Sequence, residues 1–169
     1  MYTLVKFYQA IGFTMPQIKA FVILPKITGT LSVLGSSYII YDVLKDPSKR
    51  KKQYHQIMLG MSTLELISSF FGPFLGTWPM PKGYHLYAMG TMTTCDISAF
   101  LHQLGSIGTP LYNCSLITYY YLVIKHNWND SRIGEVSKWF HIIPWSICTI
   151  FTIIGIPLKV FGPFSMNCW

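Results

Sequence analysis

The sequence has very little charge. Of its 169 residues only 11% are Asp, Glu, Lys or Arg, and just six are acidic, against roughly 25% charged residues in soluble domains. With 51% apolar residues, an ordinary soluble domain is excluded, because there are too few polar side chains to cover a core. Catalytic signatures are missing as well. The chain contains no Walker loop, no His-Glu-x-x-His, no Gly-x-Ser-x-Gly and no Cys-x-x-Cys, so no enzyme, metal or cofactor is expected. The five histidines form no facing pairs at similar depth, which argues against a di-haem electron carrier. A formal charge of +7 raises the question of nucleic acid. Such binding needs basic residues in a stripe beside stacking aromatics. Here they cluster between apolar runs, and no nucleic-acid partner is expected.

What is present is a series of long apolar stretches. A helix crosses a bilayer in roughly 20 residues, and four stretches are long enough: 20–44, 54–78, 94–124 and 139–160. The expected fold is an all-α membrane protein, a four-transmembrane-helix bundle occupying 20–169 behind a short outer N-terminus at 1–19. The connectors KDPSKRKKQ, TWPMPKGYH and KHNWNDSRIGE carry turn residues. The first 19 residues lack an uninterrupted apolar core with a small-residue cleavage site, so the first span is expected to be its own insertion signal.

Lys45, Lys49, Arg50, Lys51 and Lys52 lie in the first connector, and Lys125, Arg132 and Lys138 in the third. Eight of the 13 basic residues therefore fall on one side, which predicts that both connectors are cytoplasmic and the N-terminus is outside. The Lys-Arg-Lys-Lys run reads first as a topology anchor touching anionic lipid. Glycosylation at Asn129, in the sequon Asn129-Asp130-Ser131, would invert this orientation; Asn113 of the second sequon lies within a span.

Cys95 and Cys168 then share the outer, oxidising side, where a disulfide can form and persist. The alternative is two unrelated thiols. Cys114 and Cys148 lie within spans and read as buried thiols.

Ionisable groups in hydrocarbon are costly and should face the bundle interior or reach the interface. Lys26 either snorkels to the outer interface or faces an outward cavity and recognises a polar ligand. Glu65 lies near the middle of its span and shares one stripe with Ser62, Ser69 and Gly72. A structural hydrogen bond inside the bundle is the favoured reading there, with a switch or ion site as the other. The third span is the most polar: Ala99, His102, Ser106, Thr109, Asn113 and Tyr120 fall near one face, with Gly105 and Gly108 permitting close neighbours. That composition suits the centre of a bundle. Pro110 removes one backbone hydrogen bond and is a candidate hinge.

Together these features resemble the first half of a seven-span G-protein-coupled receptor, over residues 25–169. The resemblance rests on the short basic first inner loop, the central polar third span, and the cysteine opening that span matched by Cys168. The Cys168-Trp169 pair is similar to the second outer loop of the secretin, adhesion and cyclic-AMP receptor group. The segments KITGTLSVLGSSYIIYDVL and QLGSIGTPLYNCSLITYYYLVI resemble receptor-like proteins of single-celled eukaryotes such as diatoms. The inner end of the third span, Tyr119 to Lys125, has no Asp-Arg-Tyr, a departure from the rhodopsin-like group. Spans five to seven of such receptors have no counterpart here, so the resemblance implies a truncated sequence. It also implies a plasma-membrane receptor coupling an outer ligand to a heterotrimeric G protein. Lys26, Glu65, His102 and Asn113 are then candidates for the pocket or the polar interior, and Lys49, Arg50, Lys51, Lys52 and Arg132 for coupling. The rival expectation is a small four-span transporter or scaffold working as a homo-oligomer.

Overall fold

The computed structural model describes residues 3–164 and 167–169. It is all-α apart from one short hairpin. Helix α1 covers Thr3–Ala10 and α2 covers Met15–Lys45. The start of α2 is set locally: Gln17 Oε1 accepts the Thr14 N–H at 2.8 Å, and proline occupies the first turn, where no N–H is needed. Pro47–Lys51 forms a short helix α3, N-capped by Asp46, whose carboxylate accepts the Ser48 N–H. Helix α4 runs over Gln53–Ser69 and continues as a π-helical turn, Phe70–Phe74. Pro73 explains the change of register: it has no N–H to donate, and Leu75 N–H reaches back five residues to the Phe70 carbonyl at 3.1 Å. Helix α5, Met92–His126, begins at a Thr91/Thr94 capping box and ends on Asn127 in the left-handed conformation, with φ 52°. Helix α6 is Asp130–Val136 and α7 is Trp139–Gly155.

Three of these stretches are long and apolar enough to cross a membrane: Met15–Lys45, Gln53–Phe74 and Ser131–Gly155. The expectation of four is therefore met only in part. Helix α5 has the length, about 52 Å at 1.5 Å per residue, but its polar residues keep it out of that apolar set. It nevertheless lies antiparallel along α4. Thr94 Oγ1 donates to the Pro79 carbonyl at one end, and the Tyr54 ring meets those of Tyr119 and Tyr120 at the other. The 45–52 and 125–138 connectors thus share one end of the molecule, and the disulfide marks the opposite end.

The burial pattern is that of a membrane protein turned toward lipid. Leu31, Leu34, Ile117 and Ile124 are 61–74% exposed, whereas Ser62, Ser68, Ser69, Ser98, His102 and Thr152 are buried. In water this arrangement would cost free energy on both counts; in hydrocarbon the outward leucines and isoleucines are at home. On α2 the buried Val22, Gly29, Ser36 and Val43 recur every seven residues and form the seam against α4. On α7 the buried Phe140, Pro144, Cys148 and Thr152 recur every four and belong to the face toward α5. One apolar cluster joins Ile57, Leu64, Tyr112, Ile133 and Phe140. Ile133 of α6 belongs to it, so the third connector is a packed helix rather than a plain loop.

At the other end a second cluster holds Met80, Ala99 and the Cys95–Cys168 disulfide. The strands Pro163–Phe164 and Asn167–Cys168 pair antiparallel, and Gly162 and Trp169 exchange two backbone hydrogen bonds. The connector between α4 and α5 folds down as a cap: Gly90 N–H donates to the Met80 carbonyl and Met89 N–H to the Trp78 carbonyl. His85 is fully buried within this cap. Its Nδ1 accepts the Leu86 N–H at 2.8 Å, while Nε2 has no partner among the described residues.

Burial pushes the His85 imidazole below its ordinary value. The unfolded chain therefore binds the proton more readily, and the cap's contribution to stability is complete above about pH 6.5 and is lost as pH falls from there toward the folded-state value. A thermal melt followed from pH 7.5 to 5 is expected to show this loss, and His85→Phe is expected to flatten it.

A polar seam between three helices

The candidate site is a run of polar side chains joining α2, α4 and α5. Glu65 Oε1 accepts hydrogen bonds from Ser32 Oγ at 2.9 Å and from Ser69 Oγ at 3.0 Å, and the two hydroxyl oxygens lie 2.8 Å apart. Two hydroxyl hydrogens serve three oxygen–oxygen contacts, so the triangle shares them. One residue back on α4, Ser68 Oγ lies 3.1 Å from His102 Nδ1 and 3.1 Å from Ser106 Oγ. The same nitrogen is 3.0 Å from the Ser68 carbonyl oxygen, which can only accept, so that contact is a bond when Nδ1 carries the hydrogen. Adjacent serines on α4 thus serve opposite neighbours: Ser69 faces α2 and Ser68 faces α5.

The π turn supplies the rest of the seam. Because Leu75 N–H is taken by Phe70, the Phe71 carbonyl loses its helical partner, and Ser98 Oγ donates to it at 2.7 Å. Gly72 is there for close approach: a Cβ at this position would collide with the His102 ring. On the ring's outer side stands Trp169, with centroids 4.8 Å apart at 79°, placed by the hairpin that the disulfide anchors. The arrangement joins buried hydrogen bonding to a tethered aromatic lid. It offers structural cohesion and a polar path between helices, and no group of three metal-ligating side chains exists among the described residues.

The remaining expected site residues are distributed as follows. Lys26 neither joins Glu65 nor extends free; its Nζ lies 3.9 Å from the centroid of the Trp78 ring, a cation–π contact with the cap. Asn113 is exposed on α5, away from the seam, and Pro110 is exposed on the same open side while the helix runs through it unbroken. Among the basic residues, Lys49 binds both Asp42 oxygens at 2.8 and 2.7 Å, and that hydrogen bond pushes its ammonium above the ordinary lysine value. Arg50, Lys51 and Lys52 are exposed beside it, and Arg132 lies over the Trp128 ring at 4.7 Å. The Cys95–Cys168 disulfide is present, with Cα atoms 5.2 Å apart.

Sequence reasoning missed Ser32, Ser68 and Ser98 as partners, and also the buried Tyr112, whose hydroxyl is 3.0 Å from His141 Nδ1. A usable signal was the glycine at 60: a Cβ there would strike the Tyr112 ring.

The triangle gives a direct prediction. Ser32→Ala combined with Ser69→Ala strips Glu65 of both donors and is expected to destabilise the protein by about 1–3 kcal/mol in a thermal melt. Glu65→Leu leaves the two serines bonded to each other and is expected to cost less. The reverse order of melting temperatures would refute the triangle as an energetic unit.

No protein-family profile matches the chain, and no curated protein matches its sequence.

Proposed function

We propose that the chain is the first four membrane-crossing helices of a signalling receptor of the secretin and cyclic-AMP receptor-like group, with α5 as the third crossing. The observation that carries this reading is the unshared face of α5. The helix packs against α4 on one side and α7 on the other. On its third side Asn113, Pro110 and Ile117 are exposed, and Gln103 Oε1 and Thr109 Oγ1 are enclosed without hydrogen-bond partners among the described residues. Amides and hydroxyls at membrane depth call for protein neighbours. A central polar helix with one face still to be covered fits the third helix of a larger bundle. The disulfide from its outer end to the tail, and the basic connectors sharing the far end, fit the same plan. In this reading an outer ligand shifts the packing around α5 by binding one arrangement better than another, and the 45–52 and 125–138 connectors meet a heterotrimeric G protein.

The test uses the chain reconstituted in liposomes with purified heterotrimeric G protein. Retention of the G protein on the liposomes, lost when Arg50, Lys51 and Lys52 are changed to Gln, supports the coupling surface. Absence of retention together with solute flux through the same liposomes would move the assignment to the small homo-oligomeric transporter, in which a second copy covers the α5 face.

A further inference from the structure

Between the disulfide end of α5 and the exit of α7 lies a cavity of about 700 Å³ whose walls include Phe100, Leu101, Ile156 and Phe161 and which also holds Asp96 and Lys159. We propose that this cavity is a binding site for a phospholipid with a zwitterionic headgroup, the ammonium held by Asp96 and the phosphate by Lys159.

Three observations carry this. The first is charge. Asp96 and Lys159 line one space, both are exposed, and neither side chain has an ion-pair or hydrogen-bond partner among the described residues. An occupant carrying both signs satisfies both; an anionic lipid would leave Asp96 facing like charge. The second is depth. Both groups sit where the apolar helices give way to the cap and hairpin, the segments that carry the exposed Trp78 and Trp169, and tryptophan favours the headgroup boundary. The remaining walls are apolar, as acyl chains require.

The third is the backbone at Lys159. The chain leaves α7 through a turn closed by Lys159 N–H to the Ile156 carbonyl at 3.1 Å and Val160 N–H to the Gly155 carbonyl at 3.3 Å, with Lys159 at φ 51°. That is the position at which helix endings use glycine. A lysine there accepts a left-handed conformation that side chains resist, and the same turn places Lys159 in the cavity wall.

The experiment is native mass spectrometry of the purified full chain from micelles containing equal amounts of phosphatidylcholine, phosphatidylglycerol and diacylglycerol with identical acyl chains. The phosphatidylcholine adduct is expected to exceed each of the others about fivefold, the ratio one exposed ion pair supplies. Asp96→Asn is expected to bring phosphatidylcholine down to the phosphatidylglycerol level, and Lys159→Gln to bring it down to the diacylglycerol level. Lys159→Gly is expected to lose the same selectivity while raising the melting temperature, which separates loss of binding from loss of fold. Equal adducts of all three lipids, selectivity that survives Asp96→Asn and Lys159→Gln, or a lipid-free dimer occupying the groove would each overturn the proposal.

Discussion

Replacing Cys95 by serine is expected to lower the melting temperature more than any other single change outside the helix seams. The disulfide closes a loop with a sequence separation of 73, and the chain-entropy relation assigns about 4 kcal/mol to such a loop in a free chain. In a bilayer the unfolded reference keeps its helices inserted and is already confined, so the expected cost is nearer 2 kcal/mol. The loss is not only entropic. Cys168 is fully buried beside Met80 and Ala99, and the hairpin it anchors holds Trp169 on His102. Release of the tail therefore uncovers the end of the polar seam. Two checks distinguish a bridge from two unrelated thiols. Wild-type protein is expected to migrate faster on a non-reducing gel than after reduction, with Cys95→Ser and Cys168→Ser both matching the reduced form. The double variant is expected to be no less stable than either single one.

The second large effect is expected at Gly105. A Cβ here would meet the Leu64 carbonyl oxygen together with the Ser68 Cβ and N, so the obstacle is mostly backbone and cannot swing aside. Gly105→Val is expected to force α4 and α5 apart. Over-packing a tight contact costs about 1–3 kcal/mol, and separating this pair also breaks the Ser68 contacts with His102 and Ser106. The expected result is loss of the folded monomer from mild detergent on size exclusion. Gly134 supplies the control. It lies in α6 with nothing near its Cβ position, so Gly134→Ala is expected to leave the protein intact and to raise its stability by up to about 1 kcal/mol through helix propensity. Equal tolerance at the two positions would mean that the α4–α5 contact does not hold the structure together.

Much of this architecture was legible from hydropathy because lipid-facing helices must be apolar outside. The boundaries were less so, each for a local reason. The second span read as reaching residue 78, but Pro73 and the left-handed Gly76, at φ 54°, end the regular helix near Phe74. The fourth read as reaching 160, but the turn at Lys159 breaks it first. The first began earlier than hydropathy suggested, at Met15, because the Thr14–Gln17 cap starts a helix that Lys19 makes locally polar. The disulfide was readable because alternation of direction put both cysteines at one end. The partners of Glu65 and His102 were only half readable: Ser69 is one turn from Glu65, but Ser32 is 33 residues away and no periodicity links them. The packed α6 was missed because its seven residues are too few to show a period.

The span of chain between the two bridged cysteines also sets an order of events during synthesis. At roughly 5–20 residues per second, Cys95 waits about 4–15 s for Cys168, 73 residues on, to be made; in the orientation proposed above both then meet in an oxidising compartment. Cys114 and Cys148 are carried on α5 and α7 between the two, Cys114 exposed and Cys148 buried, and both are free in the folded protein. Closure of the bridge therefore records that α7 has been threaded and the hairpin has arrived. A pulse-labelled nascent chain would show the oxidised form only after α7, which makes the cysteine pair a biosynthetic timestamp as well as a brace.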